Sequence, residues 1–267
     1  MSEKICELPV IALRGLTIIP GTTVHFDVSR GKSIKAAETA MMNDQRLFVV
    51  AQKDSNVNNP NISDLYGVGS IVKVKQLVKL PNKLVRVLVE AEKRGELNNF
   101  LEEEEYLLGE IYEKEDLVSD MTMEEEEARY RVLKDSVLSY GAVNSNVNSE
   151  TTKSVASESS LKDMLFQIAL SFPMDYKEKQ DFLEVDTLSE QFDVAVEFLS
   201  KEIEINKIKE DIRVKVKERV DKNQRDYLLR EQLKVIREEL GEETGGSDAD
   251  RYQEELEKLD APEEVKE

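Results

Sequence analysis

The sequence predicts an α+β fold: a small, mostly antiparallel β domain at residues 1–115, a helical bundle at 116–200 and a long helix at 201–241. Three observations support this prediction. In the first 115 residues apolar and polar side chains alternate, which is typical of strands with one buried face. From residue 123 onward apolar residues recur every three or four positions, as they do along helices. The 53 residues from Leu188 to Leu240 contain neither Gly nor Pro.

The clearest strand signal in the β domain is a hairpin around the turn cluster at residues 81–83. Val72, Val74 and Val78 alternate with lysines before the turn, and Val85, Val87 and Val89 follow it at the same period. Shorter strands are predicted at Leu8–Leu13, Ile18–Gly21, Val24–Val28, Leu47–Ala51 and Glu105–Tyr112. One small helix, Ile34–Met42, is expected to begin behind a Ser33 cap. Together these elements indicate a barrel or a sandwich.

The bundle is predicted from apolar stripes and capping pairs. The first stripe is carried by Ala128, Val132, Leu133 and Val137 in a helix at Met123–Tyr140, and the second by Leu161, Leu165, Ile168, Ala169 and Phe172. Residues 141–149 are expected to form a loop. Asp175 with Glu178 and Thr187 with Glu190 have the spacing of capping boxes, so each pair predicts the start of a helix.

Two parts of the long helix differ in the width of their apolar stripe. Phe192, Ala195, Leu199 and Ile203 are expected to pack in the bundle. Further along, Leu229, Leu233, Ile236 and Leu240 step by four, three and four residues and form a seam one residue wide. An exposed narrow seam favours a protein partner, so these four residues are the candidate contact with a substrate or a neighbouring subunit. Four acidic-to-basic pairs are predicted to support the helix: Asp211–Lys215, Glu218–Lys222, Asp221–Arg225 and Asp226–Arg230.

The charge of the chain argues against nucleic acid as the main partner. The net charge is -19, and residues 101–127 hold thirteen acidic residues against the single Lys114. Residues 242–267 form a second acidic stretch. Such blocks repel phosphate groups. Cys6 is the only cysteine, which suits a reducing compartment, and neither a signal peptide nor a run of eighteen apolar residues is found. A cytoplasmic protein without membrane contact is expected.

No catalytic, cofactor-binding or metal-binding residue is predicted. Gly31-Lys32-Ser33 is similar to the end of a phosphate-binding loop, but Phe26 stands where the first Gly of that loop is required. The three residues are therefore interpreted as a helix start. His25 is the only histidine, which excludes a metal site built from several histidines.

Two stretches carry a resemblance to a known family. Leu8-Pro9-Val10-Ile11-Ala12-Leu13-Arg14, followed by Ile19-Pro20-Gly21, is similar to the opening motif of Lon proteases, although Ile19 replaces the usual Phe. The stretch from Gln224 to Glu242, which reads QRDYLLREQLKVIREELGE, is more specific. It resembles the long-helix signature that ends the amino-terminal region of ATP-dependent Lon proteases.

The resemblance implies a barrel-like PUA-like domain, a helical bundle and a long projecting helix, with residues 242–267 as a linker towards an ATPase module. It implies a non-catalytic region that recruits unfolded or damaged proteins and contacts other copies of itself, since the family enzyme is a hexamer. The complete enzyme would degrade misfolded and regulatory proteins as a Ser–Lys endopeptidase. ATP and Mg belong to that enzyme, and no cofactor is expected on this chain.

Two other functions stay open. One is an RNA-binding adaptor, because PUA-like folds can bind RNA and the hairpin carries Lys73, Lys75, Lys79, Lys83 and Arg86. The other is a structural coiled-coil spacer formed by the long helix.

Overall fold

The computed structural model of the chain describes residues 5–101, 105–144 and 147–240. These residues divide into two compact units that meet between Asn206 and Lys207. The boundaries predicted after residues 115 and 200 stay predictions. The acidic stretch predicted at 242–267 lies outside the described residues.

The described part of the first unit contains a six-stranded sheet in the order β2-β5-β4-β3-β1-β6. Its strands are β1 (Ile5–Leu13), β2 (Thr23–Val28), β3 (Arg46–Ala51), β4 (Val68–Leu80), β5 (Leu84–Leu101) and β6 (Leu107–Glu113). The long strand β5 pairs with β4 along one edge and, along the other, first with β2 and then with β6. The pairing of β5 with β6 closes five strands into a ring, which leaves few open edges. The predicted barrel-like domain is confirmed, with one departure: β1 and β3 are parallel.

The predicted hairpin is confirmed, and its turn residues explain why it forms. Leu80 pairs with Leu84 across Pro81-Asn82-Lys83, and Asn82 (φ 64°) has the left-handed backbone that Asn tolerates better than most residues. The predicted inward face is wrong at one position. A bulge between Val74 and Gln76 shifts the alternation, so Val78 is 40% exposed while Leu77 packs against the core.

Apolar residues on both faces of the strands are buried. In β1 and β3, Ile11 and Val49 belong to one core cluster, while Val10 and Phe48 belong to another. Helix α1 (Gly31–Met42) packs Ala36, Ala37 and Ala40 on the first cluster. Two predictions in this region are wrong. Ile18–Gly21 is a loop and not a strand, and Ser33 does not cap α1, since it is the third residue of a helix whose N-cap is Arg30.

The helices of the first unit follow the sheet. They are α2 (Met123–Val143), α3 (Ser149–Ala156), α4 (Leu161–Ser171), α5 (Tyr176–Glu184) and the first part of α6 (Leu188–Glu239). Both predicted capping pairs are confirmed: the Asp175 carboxylate accepts from the Glu178 N–H at 2.8 Å, and the Thr187 hydroxyl accepts from the Glu190 N–H at 3.3 Å. The loop predicted at 141–149 is too long: α2 continues to Val143 and α3 begins at Ser149, so among its described residues only Asn144, Val147 and Asn148 lie outside helices.

The apolar stripes of the bundle are confirmed with two corrections, both on α2. Leu161, Leu165, Ile168, Ala169 and Phe172 share a buried cluster with Phe192, Ala195 and Leu199 of α6. On α2 the buried residues are Leu133, Val137 and Tyr140, whereas Ala128 is exposed and Val132 is 52% exposed. Within the described residues, no helix is both long enough and apolar enough to cross a membrane.

Candidate functional site

The four residues predicted to contact a partner lie in the second unit, on α6, and all are exposed. Leu229 is 50% exposed, Leu233 56%, Ile236 51% and Leu240 72%. We call these four residues the seam. Further apolar residues of the same unit are exposed as well, among them Ile208, Ile212, Val216 and Val220, each between 51% and 56%. Folding of the second unit by itself therefore leaves a large apolar surface in water.

The seam and the four preceding apolar residues face different sides of α6. At about 100° per residue, the seam stays within roughly 60° around the helix, whereas steps of four rotate the earlier residues by about 40° each. The centres of the two sets are roughly 110° apart. A single straight partner helix cannot cover both sets, so α6 offers two separate apolar patches.

The four predicted ion pairs of α6 are not formed. Among the described residues of the second unit the ion pair is Arg213 with Glu210, at 3.9 Å and three residues apart. Long exposed side chains lose rotamer freedom when they pair in water, and the gain is small. The stability of this part of α6 therefore depends on helix propensity and on whatever covers its apolar patches.

A second candidate surface lies in the first unit, where the barrel meets the helices. A cleft of about 260 Å³ opens between the loop Ile19-Pro20-Gly21, Phe166 of α4, and Phe182 and Leu183 of α5. We call it the junction cleft. Its apolar rings and aliphatic side chains suit one or two apolar side chains of an extended peptide.

Gly21 is required at this place for two reasons. Its backbone is left-handed (φ 84°), and a Cβ there would lie 3.1 Å from the Phe166 ring. The Gly21 N–H also donates to the Ala91 carbonyl of β5 at 2.8 Å, which fixes the loop to the barrel. The Ile19-Pro20-Gly21 motif was visible in the sequence, but its role as a cleft wall depends on α4, which lies about 140 residues further along the chain.

Arg94 lines the same cleft, but its guanidinium group is already bound to other groups of the protein. Its guanidinium donates to the Leu183 carbonyl at 3.2 Å, to the Val185 carbonyl and to the Glu115 carbonyl at 2.9 Å, and it pairs with Asp186 at 3.4 Å. Burial lowers the pKa of Arg94, and the nearby Asp186 opposes that effect. Arg94 thus satisfies carbonyl groups at the end of α5 and joins the helices to β5. It is not available to a ligand.

The basic residues of the hairpin are mostly neutralised. Lys75 pairs with Glu90, Lys79 with Glu38 at 3.0 Å, and Arg86 with Asp27 at 2.7 Å. Pairing of three of the five basic residues weakens the positive field that a phosphate backbone would need. The hairpin therefore gives no support to an RNA-binding adaptor.

The remaining sequence candidates are scattered. Cys6 lies in β1, where its thiol faces the Ile111 carbonyl at 3.6 Å, and His25 is exposed in β2. Across the ranges that the structure describes, no three His, Cys, Asp or Glu residues are grouped so that they could hold a metal ion.

Comparison with known proteins agrees with this arrangement. A family model described as the ATP-dependent protease La (LON) substrate-binding domain matches residues 7–201. The Lon protease of Lachnoclostridium phytofermentans is 42% identical over 267 residues, covering 100% of this chain and 33% of the relative. The Lon protease of Clostridioides difficile is 38% identical over 265 residues, covering 98% of this chain and 34% of the relative. The chain thus spans about a third of the length of the curated relatives it matches.

A solved structure shows the same fold. The N-terminal domain of the Mycobacterium avium complex Lon protease superposes with a TM-score of 0.56 and covers 73% of this chain and 98% of its own, at 15% identity. The family model covers most of the first unit, including the barrel, the bundle and the junction cleft. By this match, the chain belongs to the family of ATP-dependent protease La (Lon) substrate-binding domains.

Proposed function

We propose that this chain recruits unfolded or damaged proteins for a Lon protease and contacts other copies of itself, without carrying out chemistry. In the complete enzyme, an ATPase module using ATP and Mg and a Ser–Lys protease module would unfold and cleave the recruited protein. Misfolded and regulatory proteins would be degraded in this way. We place this activity in the cytoplasm.

The observation that carries the proposal is the junction cleft. An unfolded client differs from a folded protein mainly in its exposed apolar side chains, so a recruiter needs a shallow apolar site that accepts many sequences. The cleft combines Ile19, Phe166, Phe182 and Leu183 in about 260 Å³. Its arginine is already bound to carbonyl groups, and Lys93, Asp116, Lys162 and Gln191 also line the cleft beside the apolar side chains.

The seam supports the second half of the proposal. Steps of four, three and four residues are the spacing with which helices pair side by side in coiled coils. We therefore assign the seam to contact between copies and the junction cleft to clients. A structural spacer would have the seam but no affinity for clients, which makes client binding the discriminating property.

The experiment measures binding of a permanently unfolded, fluorescently labelled protein to the purified chain. We expect weak, micromolar binding, equivalent to about -8 kcal/mol, because a recruiter must also release its client. Apolar contacts predict an affinity that changes little between low and molar salt, whereas charge-driven capture would weaken as screening lengths fall from about 10 Å to about 3 Å. A steep loss of affinity with salt would refute the apolar mechanism.

Matched variants on one helix locate the binding site. Phe166→Ser removes a ring from the junction cleft and should weaken client binding about tenfold, or about 1.4 kcal/mol. Leu170→Ser lies one turn further along α4, outside the cleft lining, and is 47% exposed, so it should leave binding unchanged. Equal effects of the two variants would contradict the assignment of the cleft. Undetectable binding by the wild-type chain at every salt concentration would leave only the spacer function.

The same preparation tests the absence of catalysis. We expect neither ATP hydrolysis nor peptide cleavage by this chain alone, because Gly31-Lys32-Ser33 begins α1 without the first Gly of a phosphate-binding loop. ATP turnover that persists through further purification and disappears in Lys32→Ala would overturn this expectation.

A further inference from the structure

The surface of α6 around the seam carries a net positive charge. At about 100° per residue, four basic and two acidic residues of the range 222–240 lie within roughly 90° of the centre of the seam: Lys222, Arg225, Arg230 and Arg237 against Asp226 and Glu239. Within the described residues none of these four basic side chains forms an ion pair, since the ion pair of this unit joins Arg213 to Glu210. The seam is therefore an apolar stripe with unpaired basic side chains beside it.

Direct pairing of two seams brings like charges together. In a coiled coil, the residues that flank the apolar stripe face the flanking residues of the partner helix. Arg230 and Arg237 lie on one flank of the seam and Arg225 lies on the other. A parallel pairing sets Arg225 against Arg230 of the second copy, and an antiparallel pairing sets Arg230 against Arg237. A partner with acidic flanks therefore fits the seam better than a second seam does.

The segment 249–259, which lies outside the described residues, has the complementary sequence. Its apolar residues Tyr252, Leu256 and Leu259 follow one another by four and three residues, the same steps that occur in the seam. At helical spacing, the acids that flank this stripe within roughly 80° are Asp248, Glu255 and Asp260. Both basic residues of the segment fall further round, more than roughly 100° from the centre of the stripe. The stripe and its flanks thus match the seam in spacing and oppose it in charge.

The connection between α6 and this segment selects the seam as its site. Residues 241–248 number eight, which is within the usual range for a link between neighbouring helices, and they include Gly241, Gly245 and Gly246. The other apolar patch ends at Val220, about 30 Å along α6 from Leu240. That distance is about the whole span of a fully extended connection of this length, so the segment reaches the seam but cannot lie along residues 208–220.

The same connection favours the segment's own chain over a second copy. A short tether holds its two ends at an effective concentration on the order of 1 mM. At micromolar protein concentration, a segment from another chain is far more dilute than this.

We propose that residues 249–259 bind along the seam of their own chain, apolar stripe against apolar stripe and acidic flank beside basic flank. A seam covered in this way is closed to a second copy, so the segment competes with self-association. This inference is independent of client recruitment. It also stands without association between copies, because the contact lies within one chain.

The test is hydrogen exchange of the full chain, followed by nuclear magnetic resonance at a concentration where sedimentation shows only monomer. Leu256→Asp places a charge in the apolar stripe of the segment, which is costly at an apolar contact. We expect the amides of residues 229–237 to exchange at least fivefold faster in this variant, because an uncovered helix opens more readily. Ala261→Asp adds the same charge beyond the segment and should leave exchange unchanged.

A second pair of variants tests the charges. Arg230→Gln combined with Arg237→Gln removes one basic flank and should speed exchange of the same amides at least twofold. Arg213→Gln combined with Arg219→Gln removes the same charge from the same helix, ten or more residues before the seam, and should have no effect on them. Equal exchange at residues 229–237 in the wild-type chain, Leu256→Asp and Ala261→Asp would overturn the proposal. Unchanged amide signals of the first unit in each variant would show that the fold is intact.

Sedimentation distinguishes a contact within one chain from a contact between chains. If the segment competes with a second copy, Leu256→Asp should lower the dissociation constant of self-association at least threefold. A raised dissociation constant would mean that the segment bridges two chains and would overturn the proposal. If no variant associates, the proposed contact between copies is wrong, and the exchange rates of the monomer still decide whether the segment covers the seam.

Discussion

At the scale of single residues, Glu113 joins three strands of the barrel. It ends β6, its side chain is 7% exposed, and it accepts from Arg46 of β3 at 2.6 Å and from Lys93 of β5 at 3.3 Å. Burial acts to raise the pKa of Glu113, but the hydrogen bonds from Arg46 and Lys93 outweigh it and lower the pKa. The stabilisation is therefore present above the ordinary pKa of a glutamate and is lost as the pH falls through the lowered value.

We predict that Glu113→Gln lowers the free energy of unfolding at pH 7 by about 2 kcal/mol, the usual value for hydrogen bonds to a charged group. The difference from the wild-type chain should shrink as the pH falls below the ordinary glutamate pKa, since the wild-type carboxyl becomes neutral as well. Urea unfolding at pH 7 and at low pH measures both effects. Glu92→Gln, an exposed glutamate of β5, serves as the control. A difference that is constant with pH would contradict the charge-based explanation.

At the scale of elements, the packing of α3 on α2 depends on a glycine inside a helix. Gly141 lies in α2, where glycine normally costs about 0.5–1 kcal/mol relative to alanine. A Cβ at this position would lie 2.4 Å from the Thr152 methyl group of α3. Thr152 is itself only 4% exposed, so it has little room to move. The glycine therefore allows the two helices to approach closely.

We predict that Gly141→Ala destabilises the chain by about 1–3 kcal/mol, because overpacking outweighs the gain in helix propensity. Ser139→Ala, an exposed position on the same helix, should be neutral or slightly stabilising. Thermal unfolding of both variants makes the comparison. Greater stability of Gly141→Ala would mean that α3 is not packed on α2 as described.

The seam is the second element whose role can be tested. We predict weak self-association of the chain through the seam, seen by sedimentation as a monomer–oligomer equilibrium. Leu233→Asp should raise the dissociation constant at least tenfold, or about 1.4 kcal/mol, because a buried unpaired charge is costly at an apolar contact.

Val235→Asp is the matched control for this prediction. It places the same charge two residues further along α6, on nearly the opposite side of the helix, at a residue that is 51% exposed against 56% for Leu233. We expect it to sediment like the wild-type chain. If the wild-type chain stays strictly monomeric at high concentration, the prediction that the seam mediates self-association is wrong.

At the scale of the whole molecule, the barrel and the bundle of the first unit are fastened by buried polar side chains. Gln180 of α5 is fully buried and donates to the Val68 carbonyl of β4 at 2.8 Å, and the Thr17 hydroxyl donates to the Tyr176 carbonyl at 2.7 Å. Arg94 adds the bonds already described. An opening of this interface would leave all of these groups unpaired, which is costly.

We predict that the barrel and the bundle unfold in one cooperative transition, reported by the same denaturant midpoint for hydrogen exchange in β1 and in α4. Arg94→Met should lower the free energy of unfolding by about 2–3 kcal/mol, because it leaves several carbonyl groups without a donor. Arg86→Met, which removes an exposed arginine from the same strand, should cost less than about 1 kcal/mol. Two separate transitions in the wild-type chain would favour the predicted boundary after residue 115.

The sequence predictions are accurate where a structure depends on residues close together in the chain, and they fail where it depends on distant ones. The hairpin around residues 81–83 and the capping box at Asp175 and Glu178 depend on neighbours within a few residues, so their signals are local. Helix α3 was missed because its sequence, SETTKSVA, is rich in residues that favour turns, and it is held by contacts with α2. Val78 was wrongly predicted to face inward, because a bulge shifts the alternation of side chains along β4 and no residue type in the sequence indicates where the bulge lies.

The sequence by itself determined the α+β fold class, the hairpin around residues 81–83, the capping boxes of α5 and α6, and the family to which the chain belongs. Each of these follows from local periodicity, caps and motifs. Only the tertiary structure decided that Ile19-Pro20-Gly21 faces Phe166, that Arg94 donates its hydrogen bonds to backbone carbonyl groups, and that Ser33 lines a cavity with two arginines. These features join residues far apart in the chain, and no local pattern encodes which distant side chains will meet when the core closes.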